Sequence, residues 1–168
     1  ALELMVDRLD ETRFLGLVKE IAGKRSRLNR LLTDHGGVSG AVAVIAQQLG
    51  LMPGETGETI VEAAVRDILT RTNELKTAAK TLEGGSKTDK KRGATIKAFF
   101  ESSDPVEIFG NYVDAFLKKD HEPRVDLLTK ALRDNHPEIE SFLYDEQDRI
   151  FRCYQRIKAA RIVEATGA

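Results

Sequence analysis

The longest uninterrupted helical pattern in this 168-residue chain runs from Pro137 to about Ala165, with no glycine and no internal proline. At 3.6 residues per turn, its apolar residues fall on one stripe: Ile139, Phe142, Leu143, Ile150, Cys153, Tyr154 and Ile157. A helix of about 29 residues is roughly 43 Å long, which is longer than a compact domain of this size needs. Because no capping signal follows, we expect the helix to continue into further structure.

The composition favours a soluble helical protein. Apolar residues make up 41% of the chain and charged residues 32%, and good helix formers dominate. The formal net charge is -1, so any binding to nucleic acid must come from local patches. A single cysteine, Cys153, excludes an internal disulfide, and no apolar run approaches the roughly 20 residues of a membrane span. We therefore expect a cytoplasmic protein with no membrane partner.

Helical spacing predicts that most of the first half of the chain is helical. For Val38–Leu49 a strand is the alternative, because Val42, Val44 and Ile45 are β-branched. The predicted helices cover residues 1–9, a segment from Asp10 to a stop at His35–Gly37, Val38–Leu49, a segment from Thr56 or Gly57 to Leu69, and a segment that Thr72 caps and that runs to Leu82. Gly84–Gly85 ends the last of these.

The second half is predicted to hold further helices around one small β-hairpin. The segment GGSKTDKKRG, residues 84–93, is interpreted as a basic connection into a helix that carries Phe99. Asp104–Pro105 predicts the start of the next helix, since it places an N-cap before a proline in the first turn. Turn residues at 120–123 predict a hairpin near 116–128, before a short helix that ends at Asn135.

These patterns predict an all-α fold. The whole chain, residues 1–168, is expected to form a single helical domain, with two lobes, 1–83 and 84–168, as the alternative. No internal repeat and no low-complexity tract is present.

No catalytic or cofactor-binding motif is present in the sequence. GGSKT, residues 84–88, resembles the end of a phosphate-binding P-loop, but Ser86 separates the glycines from Lys87 and a helix precedes instead of a strand. A helix C-cap followed by a solvated basic turn is the better interpretation. The three histidines have no metal-ligand spacing, and Cys153 lies on an apolar stripe as a structural thiol would. We therefore predict no catalytic residue, no metal site and no cofactor in this chain.

Basic residues are the remaining functional signal. Arg149, Arg152 and Arg156 share one face of the last helix, because they are spaced i, i+3 and i+7. Helix electrostatics alone also explains them, since acids crowd the first half of that helix and bases the second. The candidate DNA-contact residues are Lys87, Lys118, Arg124, Lys130, Arg149, Arg152 and Arg156.

Three segments together carry a resemblance to a known family. They are GGSKTDKKRG at 84–93, EPRVDLLTKALRDNHPEI at 122–139 and RIKAARIVEAT at 156–166. In their order and spacing they resemble the AddA family of double-strand break repair helicases, which are UvrD/Rep-type helicase–nuclease subunits. RLDETRFLGLVKEIAGKRSRLNRLLTDHGG and LGLMPGET are also similar to that family, so the resemblance covers nearly the whole chain.

The resemblance implies that the chain corresponds to the helical insertion of the first motor domain, subdomain 1B. Every family residue that binds ATP and magnesium, or that cleaves DNA, lies outside this sequence, so the chain alone is expected to be inactive. The implied partners are DNA, touched weakly and without sequence preference through phosphates, the rest of the motor, and an AddB-type subunit. The alternative from the residues themselves is a free-standing helical adaptor, whose exposed apolar stripe on the last helix docks a partner helix.

Overall fold

The computed structural model describes Thr33 and residues 38–167, and the predicted all-α fold is confirmed over this part of the chain. The helices predicted over residues 1–9 and from Asp10 to His35–Gly37 lie outside the described residues. Between residues 38 and 167 there are seven helices: α1 Val38–Gln48, α2 Gly57–Leu69, α3 Thr72–Glu83, α4 Lys87–Glu101, α5 Phe109–Phe116, α6 Lys130–Asn135 and α7 Pro137–Gly167.

The described residues fall into two compact units. Residues 33, 38–60 and 155–167 belong to the first unit, and Val61–Tyr154 form the second. Helices α2 and α7 contribute residues to both units. The prediction of one domain over 1–168, and its alternative of two lobes, stay predictions.

In the first unit, the start of α2 is held by side chains from the end of α7. The Gly57 N–H donates to the Glu164 carboxylate at 3.0 Å, and a Cβ at Gly57 would lie 3.2 Å from the Arg161 side chain. Arg156 donates to Glu55, and this hydrogen bond lowers the pKa of that carboxyl. Helix α1 confirms the helical interpretation of Val38–Leu49 over the strand.

The second unit is built around an aromatic core. Phe99 of α4 lies 4.6 Å from Tyr112 of α5 between ring centroids, and Tyr112 lies 5.2 Å from Phe116. Helices α3 and α4 approach closely at Gly93, where a Cβ would lie 2.7 Å from the Ala79 carbonyl oxygen. The largest fully buried aliphatic residues of this unit are Ile68, Leu75, Leu82, Ile96, Leu117, Leu127, Leu143 and Ile150.

The predicted hairpin near 116–128 is present as a single β-bridge between Leu117 and Pro123, without strands. The Lys118 N–H donates to the Glu122 carbonyl at 2.8 Å, and the Arg124 N–H donates to the Phe116 carbonyl at 3.1 Å. His121 closes the turn with a left-handed φ of 62°. The rest of the 117–129 segment is an irregular loop, called the 117–129 loop below.

Two predicted helix starts were wrong. Asp104 accepts from the Glu107 N–H at 3.3 Å, but this bond caps only a turn, and α5 begins at Phe109. Residues 87–93 are not a solvated basic connection but the first two turns of α4. The reason is a capping box, in which Ser86 and Asp89 each bind the backbone N–H of the other.

Candidate nucleic-acid interface

The carboxylate of Asp89 joins the starts of α4 and α6. One oxygen accepts from the Ser86 N–H at 2.9 Å and from the Thr129 hydroxyl at 2.7 Å. The other oxygen accepts from the Thr129 N–H at 3.0 Å. Because Ser86 and Thr129 are the N-cap residues of α4 and α6, one carboxylate brings the first residues of both helices together. We call this arrangement of Ser86, Asp89 and Thr129 the N-cap junction.

The local sequence explains how a carboxylate fits there. Gly85 leaves the necessary space, since a Cβ at this position would collide with Asp89 and Leu132. Burial by itself would raise the pKa of Asp89, but the hydrogen bonds from Thr129 and Ser86 outweigh it and hold the pKa below its ordinary range. The carboxylate is therefore ionised near neutral pH and serves as an internal anion for two helix starts.

Four lysines lie on the first turns of the two helices that begin at the N-cap junction. Lys87 is the first residue of α4 and Lys130 the first of α6, and both are exposed. Lys90 and Lys91 follow on the first turns of α4 and are exposed as well. Lys87, Lys90, Lys91 and Lys130 are called the lysine cluster here. No acidic side chain among the described residues pairs with any of the four.

Arg92 is not part of this surface, although the sequence groups it with Lys87, Lys90 and Lys91. It is 7% exposed, and its guanidinium donates to the backbone carbonyls of Ala115, at 2.9 Å, and Leu127. Burial, with the positive charge of Arg124 nearby, lowers the pKa of Arg92. Its role is to tie α4 to the end of α5 and to the 117–129 loop.

Lys118 and Arg124 lie on the 117–129 loop. Lys118 is exposed and lies 3.8 Å from Asp120, whereas the Arg124 guanidinium donates twice to the Asp114 carbonyl, at 3.1 and 3.0 Å. Polar side chains of α7 fix the loop further. The Tyr144 hydroxyl donates to the Val125 carbonyl at 2.6 Å, and the Gln147 amide donates to the Phe116 and Arg124 carbonyls at 2.8 and 3.0 Å.

The three arginines predicted on one face of α7 each have an acidic partner. Arg149 lies 3.3 Å from Glu146, and Arg152 pairs with Asp148 one turn earlier. Arg156, in the first unit, pairs with Glu55. A carboxylate that already binds a guanidinium offsets part of the positive charge of that guanidinium, so these arginines present less unpaired positive charge than the lysine cluster.

A second buried polar group, around Glu146, could not be recognised from the sequence. Its carboxylate is 0% exposed, and it accepts from Arg71 at 2.9 and 3.1 Å and from the Tyr112 hydroxyl at 2.9 Å. Burial, and next the charge and hydrogen bond of Glu146, raise the pKa of Tyr112 well above its usual value. Burial alone would lower the pKa of Arg71, but Glu146 and Asp67 raise it overall. This group joins α5, α7 and the residue before α3, and we interpret it as structural.

The hydrogen bonds of the GGSKT segment do not fit a nucleotide. The N–H groups of Gly84 and Gly85 donate to the carbonyls of Thr81 and Leu82, and the Ser86 N–H donates to Asp89. Three of the five amides of this segment, those of Gly84, Gly85 and Ser86, are therefore already bonded inside the protein. Within residues 38–167, no group of three or more potential ligands could hold a metal ion. No helix in this range is long and apolar enough to cross a membrane.

The depressed pKa of Asp89 predicts how stability depends on pH. Its ordinary pKa is 3.8, and a lower folded-state value means that the ionised junction stabilises the protein above that pH. This contribution is lost as pH falls through the folded-state value. Urea denaturation of the wild type and of Asp89→Asn should give a difference in unfolding free energy that is constant from pH 7 to 5. Below about pH 4 the difference should shrink, and a difference that grows in acid would contradict the assignment.

Comparison with known proteins returns no match. No family model, no curated protein and no solved structure has significant similarity to this chain.

Proposed function

We propose that this chain is a non-catalytic helical module of a double-strand break repair helicase of the AddA type, and that it contacts DNA phosphates through the lysine cluster. The observation that supports the DNA contact is the N-cap junction. It joins two predicted DNA-contact residues, Lys87 and Lys130, at one place, and both are exposed and free of acidic partners among the described residues.

The chemistry of the cluster suits a phosphate backbone. A lysine ammonium is a flexible point charge, and it binds phosphate without the fork geometry that an arginine needs. Contacts of this kind hold a duplex in position and carry no base information. The affinity should be low and strongly dependent on salt, because it rests on the release of counterions.

Other activities belong to the rest of the proposed parent protein. ATP and magnesium would bind in the motor domains, and a nuclease domain and an AddB-type subunit would complete the assembly, which would act in the cytoplasm. In this chain the N–H groups of Gly84, Gly85 and Ser86 are bonded within the protein, and no step of ATP hydrolysis is assigned to it.

A salt titration with a fluorescent DNA duplex tests the proposal. In 20–50 mM salt, the wild-type chain should bind, and the double variant Lys87→Glu/Lys130→Glu should lose at least about tenfold in affinity. The slope of log K against log salt should become shallower by about 2, roughly one for each lysine. Fluorescence anisotropy measures both quantities.

The matched control reverses two exposed lysines elsewhere in the second unit, Lys76 of α3 and Lys97 of α4. Lys76→Glu/Lys97→Glu changes the net charge equally and should leave the salt slope nearly unchanged. A third arm, Arg152→Glu, tests the face of α7. If that variant abolishes binding while Lys87→Glu/Lys130→Glu does not, the DNA contact lies on α7 and the assignment to the lysine cluster is wrong.

The adaptor alternative receives no support from the stripe on α7. Its aliphatic members Ile139, Leu143, Ile150 and Ile157 are all buried, with exposed fractions of 9% or less. Phe142, Cys153 and Tyr154 are half-buried. An exposed stripe, on which that alternative depends, is therefore not found among these residues.

A further inference from the structure

We infer that Asp89 is a positioning residue for the lysine cluster: its carboxylate sets the spacing between the lysines of α4 and Lys130 of α6, so that both helices contact one phosphate backbone together. This inference rests on the proposed function. It adds an acidic residue whose replacement should weaken DNA binding, although the loss of a negative charge would by itself strengthen that binding.

The geometry gives Asp89 this role because its carboxylate is fully used inside the protein. It is 1% exposed, and its two oxygens accept three hydrogen bonds, one from Ser86 and two from Thr129. The two bonds from Thr129 connect segments 40 residues apart in sequence. A carboxylate buried in this way is not available to pair with the lysines, which stay exposed at the surface.

The change Asp89→Asn separates the effect of the junction's hydrogen bonds on DNA binding from the effect of the negative charge. An asparagine has nearly the same shape but only one acceptor oxygen, and its amide group donates. If its oxygen keeps the bond from the Thr129 N–H, its amide faces the Ser86 N–H, so two donors oppose each other. The junction then loses the hydrogen bond from the Ser86 N–H. At the same time the chain loses one negative charge, and charge alone would strengthen its binding to DNA.

Distances between spin labels test the spacing directly. In a Cys153→Ser background, labels at Lys87→Cys and Lys130→Cys should give a narrow distribution, and adding Asp89→Asn should broaden or shift it. Labels at Lys76→Cys and Lys97→Cys, on α3 and α4, are the control and should be unaffected by Asp89→Asn. Because Asp89→Asn also removes buried hydrogen bonds, Thr129→Val serves as a second variant. It removes only the hydrogen bond from the Thr129 hydroxyl to Asp89 and keeps the negative charge.

DNA binding by the full chain tests the consequence. Asp89→Asn should bind a fluorescent duplex about threefold or more weakly, with a salt slope shallower by about 1. The matched control is Asp134→Asn, an exposed carboxylate on α6 that makes none of the junction bonds. It removes the same charge and should bind equally well or slightly more tightly, with the slope unchanged.

Each result decides one of the two claims. If Asp89→Asn binds more tightly, as Asp134→Asn should, or if its label distances stay narrow, the positioning role is overturned. If the wild-type chain does not bind the duplex even in low salt, the proposed function is overturned, and the label distances still decide whether Asp89 sets the spacing.

Discussion

Replacing Glu146 by alanine should lower the free energy of unfolding by about 3–5 kcal/mol, which is the usual cost of removing one partner of a buried ion pair. The carboxylate has no solvent exposure, and it accepts from Arg71 and from the Tyr112 hydroxyl. Without it, the Arg71 guanidinium keeps only its bonds to Asp67, the buried Tyr112 hydroxyl loses its acceptor, and a cavity is left between α5 and α7. Equilibrium urea denaturation, monitored by far-UV circular dichroism, measures the difference.

Tyr112→Phe is the matched control for this change. It removes the hydroxyl that donates to Glu146 but keeps the ring that packs between Phe99 and Phe116. Because the carboxylate keeps its bonds to Arg71, the cost should be only about 1 kcal/mol, the typical value of one hydrogen bond. If Tyr112→Phe costs as much as Glu146→Ala, the ion pair is not the main source of stability here. A stability of Glu146→Ala within 1 kcal/mol of the wild type would contradict the buried-pair argument.

Helices were predicted correctly where the residues of the segment itself determine its secondary structure. The periodic apolar residues and missing glycines of 137–165 are sufficient for α7, and Gly84–Gly85 ends α3 as predicted. The start of α5 was predicted four residues too early, because Asp104–Pro105 caps a turn as readily as a helix. The start of α4 was predicted too late, because a run of basic residues at 84–93 is typical of a solvated connection, whereas the capping box formed by Ser86 and Asp89 starts a helix there.

The candidate interface was predictable in its parts but not in its arrangement. Lys87 and Lys130 were both named from the sequence, yet nothing local indicates that they belong to one site. Their proximity depends on hydrogen bonds between Asp89 and Thr129, which are 40 residues apart. Ser86 and Asp89 have the spacing of a capping box, but such a box does not reveal that the same carboxylate also caps a second helix. Glu146 carried no signal at all, because a buried glutamate and a solvated one look alike in a single sequence.

Replacing Arg92 by alanine should lower the free energy of unfolding by about 3 kcal/mol, because hydrogen bonds to a charged group contribute about 1.5–3 kcal/mol each and this group is buried. Its guanidinium holds the carbonyls of Ala115 and Leu127, and both would lose their donor. Thermal and urea denaturation measure the loss, and the salt slope of DNA binding should be unchanged in molecules that stay folded. A shallower slope with little loss of stability would instead mean that Arg92 binds phosphate.

Arg124→Ala is the matched control for Arg92, because Arg124 also donates twice to a backbone carbonyl of α5, that of Asp114. Those bonds lie at the surface, where water can replace the guanidinium once it is removed. Removing Arg124 also takes away a positive charge that opposes ionised Arg92 and contributes to lowering its pKa. Both effects reduce the cost of Arg124→Ala to about 1 kcal/mol or less. Equal losses of unfolding free energy in the two variants would show that burial does not set the strength of these hydrogen bonds. The structural role assigned to Arg92 would then be wrong.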